Sequence, residues 1–237
     1  MKTFIINVSS NEFRRNHMLS VVSAHKCIRD YHFIHEGDVD NISQEIQVKY
    51  FGGELSELRP VVSCAYKHIL AYYEISKLHA DECALILEDD IFLYDNFCFL
   101  LSEILEEIAH KKMKKFLISL EESNLKYVRK SERKEDSLLY KKPIGRMAGA
   151  YLMDTICAQA LINEIENNKC NLAIDWFHNY CAAKGLFDIY WAHPPIAIQG
   201  SLNGKIKSLI DDKPIGRIKI MKFNISKIYK RILYGIR

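Results

Sequence analysis

Short apolar runs alternate along the chain with segments in which apolar residues recur every three or four positions. The short runs predict strands at residues 3–8, 31–35, 83–87, 115–120, 149–153 and 186–191, of which the first is expected to be buried. The periodic segments predict helices at residues 11–25, 59–79, 97–108, 158–165 and 174–184. Because strands that alternate with helices are typical of α/β domains, we expect a mostly parallel central sheet flanked by helices.

One segment interrupts this alternation. Residues 121–142 are polar and highly charged, and they predict an insertion with a hairpin through the sequences YVRK and SLLYKK. An insertion of this kind is typical of a mobile loop over an active site. We therefore expect it at the surface, beside a ligand site.

Three carboxylates follow the strand predicted at residues 83–87, in the sequence ALILEDDI. The side chains of Glu88, Asp89 and Asp90 should open into the crevice at the carboxyl end of the sheet, where α/β proteins bind ligands. Adjacent anions in a half-buried site repel one another unless a cation joins them. A hard divalent cation such as Mn²⁺ or Mg²⁺ takes oxygen ligands and can bridge to a nucleotide diphosphate. The alternative role is structural, because acidic residues also end strands and favour helix N-termini.

Charge separates the C-terminus from the rest of the chain. The 237 residues are 49% hydrophobic and 27% charged, which is typical of a globular protein. From Lys213 to the end there are eight basic and no acidic residues, which leaves 25 basic and 30 acidic residues elsewhere. A uniformly basic nucleic-acid-binding protein would not show this asymmetry. We expect a catalytic domain over residues 1–212 and a tail over residues 213–237.

The tail predicts a basic amphipathic helix. Its apolar residues form one helical stripe: Ile225, Ile228, Tyr229, Ile232, Leu233 and Ile236. Lys227, Lys230 and Arg231 lie away from this apolar stripe. Such a helix can lie in the interface of an anionic membrane, where each basic residue contributes about 1 kcal/mol. The alternative is that the stripe docks on the protein's own core.

The cysteines and the N-terminal residues indicate the cellular compartment of the protein. Seven cysteines without a C-x-x-C pair favour buried free thiols in a reducing compartment over a disulfide framework or a zinc site. The apolar run after Lys2 is too short for a signal peptide, and no stretch approaches ~20 uninterrupted apolar residues. We therefore expect a cytoplasmic protein that associates peripherally with the inner membrane.

Several short motifs follow one another between residues 3 and 210. They are Ile6-Asn7-Val8, Arg14-Arg15, Cys64 with His68, Glu88-Asp89-Asp90, Gly149-Ala150-Tyr151, Ile174-Asp175, Pro194-Pro195 with Gln199, and Ser208-Leu209-Ile210. In this order they resemble glycosyltransferase family 25, the bacterial lipooligosaccharide glycosyltransferases related to collagen galactosyltransferase domains. The chain departs from the family pattern at Val61, where the family has a glutamate.

The resemblance implies a GT-A-like fold and a nucleotide-sugar donor. It also implies that the acidic triplet stands in for the Asp-x-Asp motif, so that Asp90, with Glu88, would be the metal ligand. The residues implied for nucleotide-sugar binding are Asn7, Arg14, Arg15, His68, Glu88, Asp89, Gly149 and Gln199. Arginines can pair with phosphate bidentately, although exposed helix arginines are commoner. A packed histidine is likewise the commoner role for His68.

Two further residues complete the expected site. If the reaction inverts the anomeric centre, a carboxylate must take the proton of the acceptor hydroxyl. Asp175 is the candidate base because it lies in the apolar sequence AIDWF, where an unpaired carboxylate is costly to bury. Its alternative role is helix capping. His193, at a strand end before two prolines, is a candidate additional metal ligand.

We therefore expect a metal-dependent transferase that moves a hexose from a UDP-sugar to a lipid-anchored oligosaccharide of the LPS core. Galactose from UDP-galactose is the first choice of sugar, and glucose is the second. A metal-dependent phosphodiester hydrolase would also use clustered carboxylates, but the further Asp and His motifs of that class are missing. Val61 also leaves open a non-catalytic scaffold of the same fold.

Overall fold

The computed structural model describes residues 1–207, 209 and 216–236. The strands in these ranges are β1 Lys2–Ile6, β2 Asp30–Ile34, β3 Cys83–Glu88, β4 Ile91–Leu93, β5 Phe116–Ser119, β6 Leu139–Lys142, β7 Ala150–Asp154, β8 Asp188–Ala192 and β9 Ala197–Gln199. The helices are α1 Glu12–Ala24, α2 Gln44–Tyr50, α3 Pro60–Ile75, α4 Phe97–His110, α5 Thr155–Asn168, α6 Ile174–Ala183, α7 Gly200–Asn203 and α8 Arg217–Ile236. Outside residues 121–142, each strand and helix expected from the sequence is present, with ends that differ by a few residues.

Seven strands form one sheet in the order β2-β1-β3-β7-β5-β8-β6. Strands β2, β1, β3, β5 and β8 run in one direction, whereas β7 and β6 run in the other. The expectation of a mostly parallel central sheet is confirmed. β4 and β9 pair separately as a small antiparallel sheet.

Helices cover both faces of the large sheet. α3, α5 and α6 pack on one face with Ile86, whereas α1 and α4 pack on the other face with Leu85 and Leu87. Because successive side chains of β3 enter different cores, the whole run is apolar rather than alternating. The strand has partners on both sides, so its carboxyl end at Glu88 opens near the middle of the sheet edge.

The polar segment after β5 differs from expectation. The sequence YVRK forms no strand, and β6 pairs with β8, so the expected hairpin is wrong. The first part of the segment is not at the surface either, because Glu121, Glu122, Tyr127 and Val128 are buried. Tyr127 donates a hydrogen bond to Glu122 at 2.7 Å, and partners of this kind allow polar residues to be buried.

The expectation of free thiols is wrong for one pair of cysteines. Cys27 and Cys98 form a disulfide, with Cα atoms 5.5 Å apart. The bond joins the segment after α1 to the first turn of α4, and the sequence separation of 71 between the two cysteines gives no spacing signal. The remaining cysteines are free, as expected: Cys64, Cys83, Cys157, Cys170 and Cys181.

Helix α8 contacts the rest of the protein through its basic residues. Lys227 Nζ and Arg231 Nη2 each lie 2.7 Å from an oxygen of Glu122, whose side chain is fully buried. Although burial opposes it, hydrogen bonds from Lys227, Tyr94, Tyr127 and Arg231 hold the pKa of Glu122 below its usual range. Arg133 adds a hydrogen bond of 3.1 Å to the carbonyl oxygen of Tyr234. The docking of this helix therefore combines ion pairs with apolar contacts, such as that between the rings of Tyr234 and Tyr127.

The apolar stripe of α8 faces away from the body. Between 59% and 73% of the surface is exposed at five of its six residues, Ile225, Ile228, Tyr229, Ile232 and Ile236, whereas Leu233 is half-buried. The alternative in which the stripe packs on the protein's own core is therefore wrong. Within the ranges that the structure describes, no helix has both the length and the apolar character that a bilayer crossing requires. The expected boundary at residues 212 and 213, like Ser208 and Ile210, lies outside those ranges.

Candidate active site

Asp90 lies in the turn between β3 and β4 and contacts the first residues of α7. The N–H of Gly200 donates to the carbonyl oxygen of Asp90 at 2.7 Å, and the N–H of Ser201 donates to its Oδ2 at 3.1 Å. The side chain is only 4% exposed. Its second oxygen, Oδ1, is buried and has no hydrogen-bond partner in the described ranges. A buried carboxylate oxygen without a donor is costly, so this atom is poised to bind a cation.

Asp89 is fully engaged with the N-terminal part of the chain. Its side chain pairs with Arg14 and accepts a hydrogen bond of 2.9 Å from the Asn7 amide. Arg14 in turn donates to the carbonyl oxygen of Lys207 at 2.7 Å. Burial raises the pKa of Asp89, although Arg14 opposes this effect. Asp89 therefore orders the loop after β1 and ties α1 to the cluster.

Glu88 connects the acidic cluster to helix α3. Its Oε2 accepts a hydrogen bond of 2.9 Å from Gln199, and its Oε1 lies 3.4 Å from Nε2 of His68 and 3.8 Å from Sγ of Cys64. Burial and the carboxylates of Asp90 and Asp89 raise the pKa of Glu88 to about 8. Burial lowers the pKa of His68 to about 3, so this imidazole is neutral.

A cavity of about 500 Å³ lies beside the cluster, at the carboxyl ends of β1 and β3. Its lining includes Asn7, Arg14, Glu88 and Asp89, four of the residues expected to bind the nucleotide-sugar. The loop after β2 forms the opposite wall, with residues 38–41. The cavity is therefore built from the three adjacent parallel strands β2, β1 and β3.

Lys67 and Asp38 contribute to this cavity and were missed by the sequence analysis. Lys67 is 1% exposed; its Nζ lies 2.8 Å from Asp38 Oδ1 and donates to backbone carbonyl oxygens of residues 34–36. Although burial opposes it, Lys67 holds the pKa of Asp38 below its usual range. The sequence could have indicated this pair through Lys67, the single lysine on an otherwise apolar face of α3, because a buried lysine requires a partner.

A second cavity, of about 260 Å³, adjoins the first. It is lined by Glu88, Asp90, Gln199, Ser201 and Asp175, so the candidate metal ligands and the candidate base face one space. The two cavities share Arg14, Cys64, Glu88 and Leu209. A ligand can therefore extend from one cavity into the other past Glu88.

Asp175 lies in the first turn of α6 and is not the N-cap residue, which is Ala173. Burial raises the pKa of Asp175, and the N–H groups of Trp176 and of Asp175 itself partly oppose this effect. A carboxylate whose pKa is raised is a better proton acceptor than an ordinary one. Its position is therefore suited to the role expected from the sequence.

Gly149 is close to the site without lining either cavity. A Cβ atom on it would lie 2.6 Å from Nε2 and 2.8 Å from Cγ of Gln199. Only glycine leaves Gln199 enough room to reach Glu88. The backbone N–H of Gly149 also donates to Glu121 Oε1 at 2.6 Å. Gly149 thus positions Gln199.

Two expected site residues are not brought to the cluster. Arg15 is exposed and lies over the ring of Phe33, with 5.8 Å from its guanidinium carbon to the ring centre. His193 lines a different cavity, beside Arg133 and the basic residues of α8. Neither residue lines the two cavities around Glu88.

The donor atoms around Asp90 fit a hard divalent cation. Asp90 supplies a buried oxygen that has no partner within residues 1–207, 209 and 216–236, and Glu88 supplies carboxylate oxygens in the same cavity. Carboxylate oxygens are the ligands that Mg²⁺ and Mn²⁺ prefer. Asp90 and Glu88 are therefore the residues that would hold such an ion.

Comparison with known proteins identifies the family of the sequence. The model of the family described as glycosyltransferase family 25 (LPS biosynthesis protein) matches residues 1–178. None of the curated proteins matches the sequence.

Two solved structures are similar in the overall path of the backbone. A UTP-bound UGPase from Acinetobacter baumannii has 8% sequence identity and a TM-score of 0.47, with 100% of both chains covered. A protein assigned as a glucose-1-phosphate thymidylyltransferase from Bacillus anthracis, in complex with a sucrose, has 14% identity and a TM-score of 0.39. That match covers 96% of this chain and 95% of the other. Neither similarity is close enough to carry an argument about the site.

Proposed function

Because the chain belongs to glycosyltransferase family 25 and is therefore a glycosyltransferase, we propose that it moves a hexose from a UDP-sugar to a lipid-anchored oligosaccharide in a metal-dependent reaction. Galactose is the hexose that we propose. The observation that carries the proposal is that Asp90, whose Oδ1 has no hydrogen-bond partner among the residues that the structure describes, shares one cavity with Asp175.

The larger cavity suits the nucleotide of the donor. It is comparable in volume with ordinary small-ligand sites, and it lies at the carboxyl ends of parallel strands. A nucleoside placed there would direct its diphosphate past Glu88 toward Asp90, because the two cavities join at Glu88. The hexose would then lie in the smaller cavity.

Asp90 and Glu88 would hold the divalent cation with their carboxylate oxygens. When bound, the cation supplies positive charge that offsets the negative charge developing on the departing diphosphate. Gln199 fixes one oxygen of Glu88, and the N–H of Ser201 fixes one oxygen of Asp90. These hydrogen bonds orient the carboxylates before the donor arrives.

Asp175 is the proposed base. The acceptor hydroxyl oxygen bonds to the anomeric carbon of the hexose while the bond from that carbon to the diphosphate oxygen breaks. The hydroxyl proton passes to the Asp175 carboxylate, and UDP leaves with the bonding electrons. Attack from the side opposite the leaving group inverts the anomeric centre, which is the stereochemistry that we propose.

The apolar stripe of α8 is proposed to lie on an anionic membrane that carries the acceptor. The stripe faces away from the body, and Lys219, Lys222 and Lys230 of the same helix are not paired with Glu122. A helix that presents an apolar face flanked by lysines suits an anionic membrane interface. Lys227 and Arg231 contribute less to this attraction, because Glu122 neutralises part of their charge.

Replacing Ile228 and Ile232 together by serine should weaken binding to anionic liposomes at least tenfold. Burial of an isoleucine side chain contributes about 1.5–3 kcal/mol, and about 1.4 kcal/mol corresponds to a factor of ten. Sedimentation with vesicles that contain phosphatidylglycerol measures the change. The control pair, Val48→Ser with Phe99→Ser, removes two apolar side chains that are equally exposed on the body. Unchanged sedimentation of the α8 variant would refute membrane attachment. Analytical ultracentrifugation that shows a dimer in the wild type and a monomer in the variant would also refute it, because a second copy would then cover the stripe.

Donor turnover tests the proposed reaction. The full chain is incubated with UDP-galactose or UDP-glucose, Mn²⁺ or Mg²⁺ and a lipid-linked oligosaccharide acceptor, and UDP release is measured. We expect release with UDP-galactose that depends on the cation and the acceptor. Faster release with UDP-glucose would reassign the sugar, and no release with either donor would contradict the proposal.

A further inference from the structure

Three side chains of different chemistry converge on the inner side of the acidic cluster. Nε2 of His68 and Sγ of Cys64 lie 3.4 and 3.8 Å from Oε1 of Glu88, and the three atoms are all within 4.8 Å of one another. Zinc bonds of about 2.0–2.3 Å in tetrahedral geometry place neighbouring ligand atoms roughly 3.3–3.6 Å apart. The three donors are thus already close to one face of a zinc tetrahedron.

The backbone explains this convergence. Cys64 and His68 are four residues apart on α3, so their side chains share one face of the helix. Glu88 ends β3, which is packed beneath that helix. Cys64 and Glu88 also line both cavities, so a fourth ligand position is open to solvent or to a bound ligand.

A buried chain of polar contacts extends from His68 to His178. The hydroxyl oxygens of Tyr151 and Tyr72 lie 3.4 Å apart, and the Tyr72 oxygen lies 2.6 Å from Nε2 of His178. The Tyr151 oxygen also lies 2.7 Å from Nδ1 of His68. In the tautomer of His68 that carries its N–H at Nδ1, the lone pair of Nε2 points toward Glu88.

In that tautomer two atoms with lone pairs face each other, Nε2 of His68 and Oε1 of Glu88, at 3.4 Å. A proton on Glu88 joins these two atoms in the metal-free protein, and a metal ion can take the place of that proton. A zinc-ligating histidine usually donates its other ring N–H to an oxygen, and Tyr151 places an oxygen 2.7 Å from Nδ1 of His68. Thiolate, imidazole and carboxylate together select Zn²⁺ over Mn²⁺ or Mg²⁺.

We propose that Cys64, His68 and Glu88 bind one zinc ion whose fourth position opens into the joined cavities. The site is separate in chemistry from the hard-cation site of Asp90 but shares Glu88 with it. Zinc therefore competes with Mn²⁺ or Mg²⁺ for Glu88 and inhibits sugar transfer. Zinc binding is independent of the proposed function, and only the inhibition rests on it.

Titration of the metal-free full chain tests the site. Calorimetry should show one zinc ion bound, and Co²⁺ in its place should give the near-ultraviolet absorption band of a thiolate–cobalt bond. Cys64→Ser should lose that band and bind zinc at least tenfold more weakly, and His68→Gln should weaken zinc binding to a similar extent. The matched control is Cys83→Ser, because Cys83 is also half-buried but begins the strand that Glu88 ends. It should behave as wild type.

The outcomes separate the two parts of the proposal. If the wild type binds no zinc, or if Cys64→Ser keeps the cobalt band and the wild-type zinc affinity, the site is refuted. The His68→Gln variant keeps the test valid if Cys64→Ser does not fold. If zinc binds at this site but does not slow transfer in the presence of Mn²⁺, competition for Glu88 is refuted. If no sugar is transferred under any condition, the proposed function fails while the binding result stands.

Discussion

Replacement of Asp90 by asparagine should lower hexose transfer by about 10²–10³-fold, because it removes a charged ligand of the cation that offsets several kcal/mol of developing charge. Asparagine retains the shape of the side chain and an oxygen that can accept the N–H of Ser201. The folded state should therefore persist. Initial rates with saturating UDP-galactose and a series of Mn²⁺ concentrations measure the effect.

The control for Asp90 is Asp81→Asn, which removes a carboxylate whose side chain is 90% exposed. We expect this variant to transfer sugar at the wild-type rate. Circular dichroism and urea unfolding show whether Asp90→Asn remains folded. A folded Asp90→Asn protein with wild-type activity and wild-type dependence on Mn²⁺ would show that the acidic cluster is only structural.

Replacement of Asp175 by asparagine should lower transfer by about 10²–10⁴-fold, the usual contribution of a general base. The affinity for UDP should change little, because Asp175 lines the smaller cavity and not the larger one. The loss should therefore appear in kcat rather than in the binding of the nucleotide. Rate measurements together with UDP titration separate the two quantities.

The pH profile adds a second test of Asp175. A base acts in its ionised form, so transfer should fall as the pH drops through the pKa of the base. Because burial raises the pKa of Asp175, this fall should begin above the range of an ordinary aspartate. The residual activity of Asp175→Asn should lack that acidic limb. A profile identical to that of the wild type would assign the proton transfer to another group.

Local sequence patterns were sufficient for much of the fold. The run CALIL predicts β3, which is buried on both faces, and Asn11, the first residue of the helix predicted at residues 11–25, is the N-cap of α1. The position of the acidic triplet at the sheet edge was predicted correctly, because the end of a central strand opens there independently of residues that are distant in the sequence. These features depend on neighbouring residues alone.

Other features depend on partners far away in the chain. Gln199 reaches Glu88 from 111 residues away, and only the absence of a side chain at Gly149 allows it to do so. Asp38 and Lys67 similarly come together from separate elements. No local pattern encodes these contacts, so the sequence predicts the candidate metal ligands but not the residues that orient them.

The orientation of α8 shows why periodicity alone is ambiguous. An amphipathic pattern gives two faces but does not say which one meets the protein. The buried carboxylate of Glu122 decides the question, because it needs the cations of Lys227 and Arg231. The apolar face is consequently directed outward.

The most direct measurement of the central claim is calorimetric titration of UDP into the metal-free full chain, with and without Mn²⁺. We predict that Mn²⁺ strengthens UDP binding at least tenfold in the wild type and that Asp90→Asn abolishes this gain. UDP affinity that is the same with and without Mn²⁺, or no binding of UDP under either condition, would contradict a cation-dependent nucleotide-sugar site at Asp90.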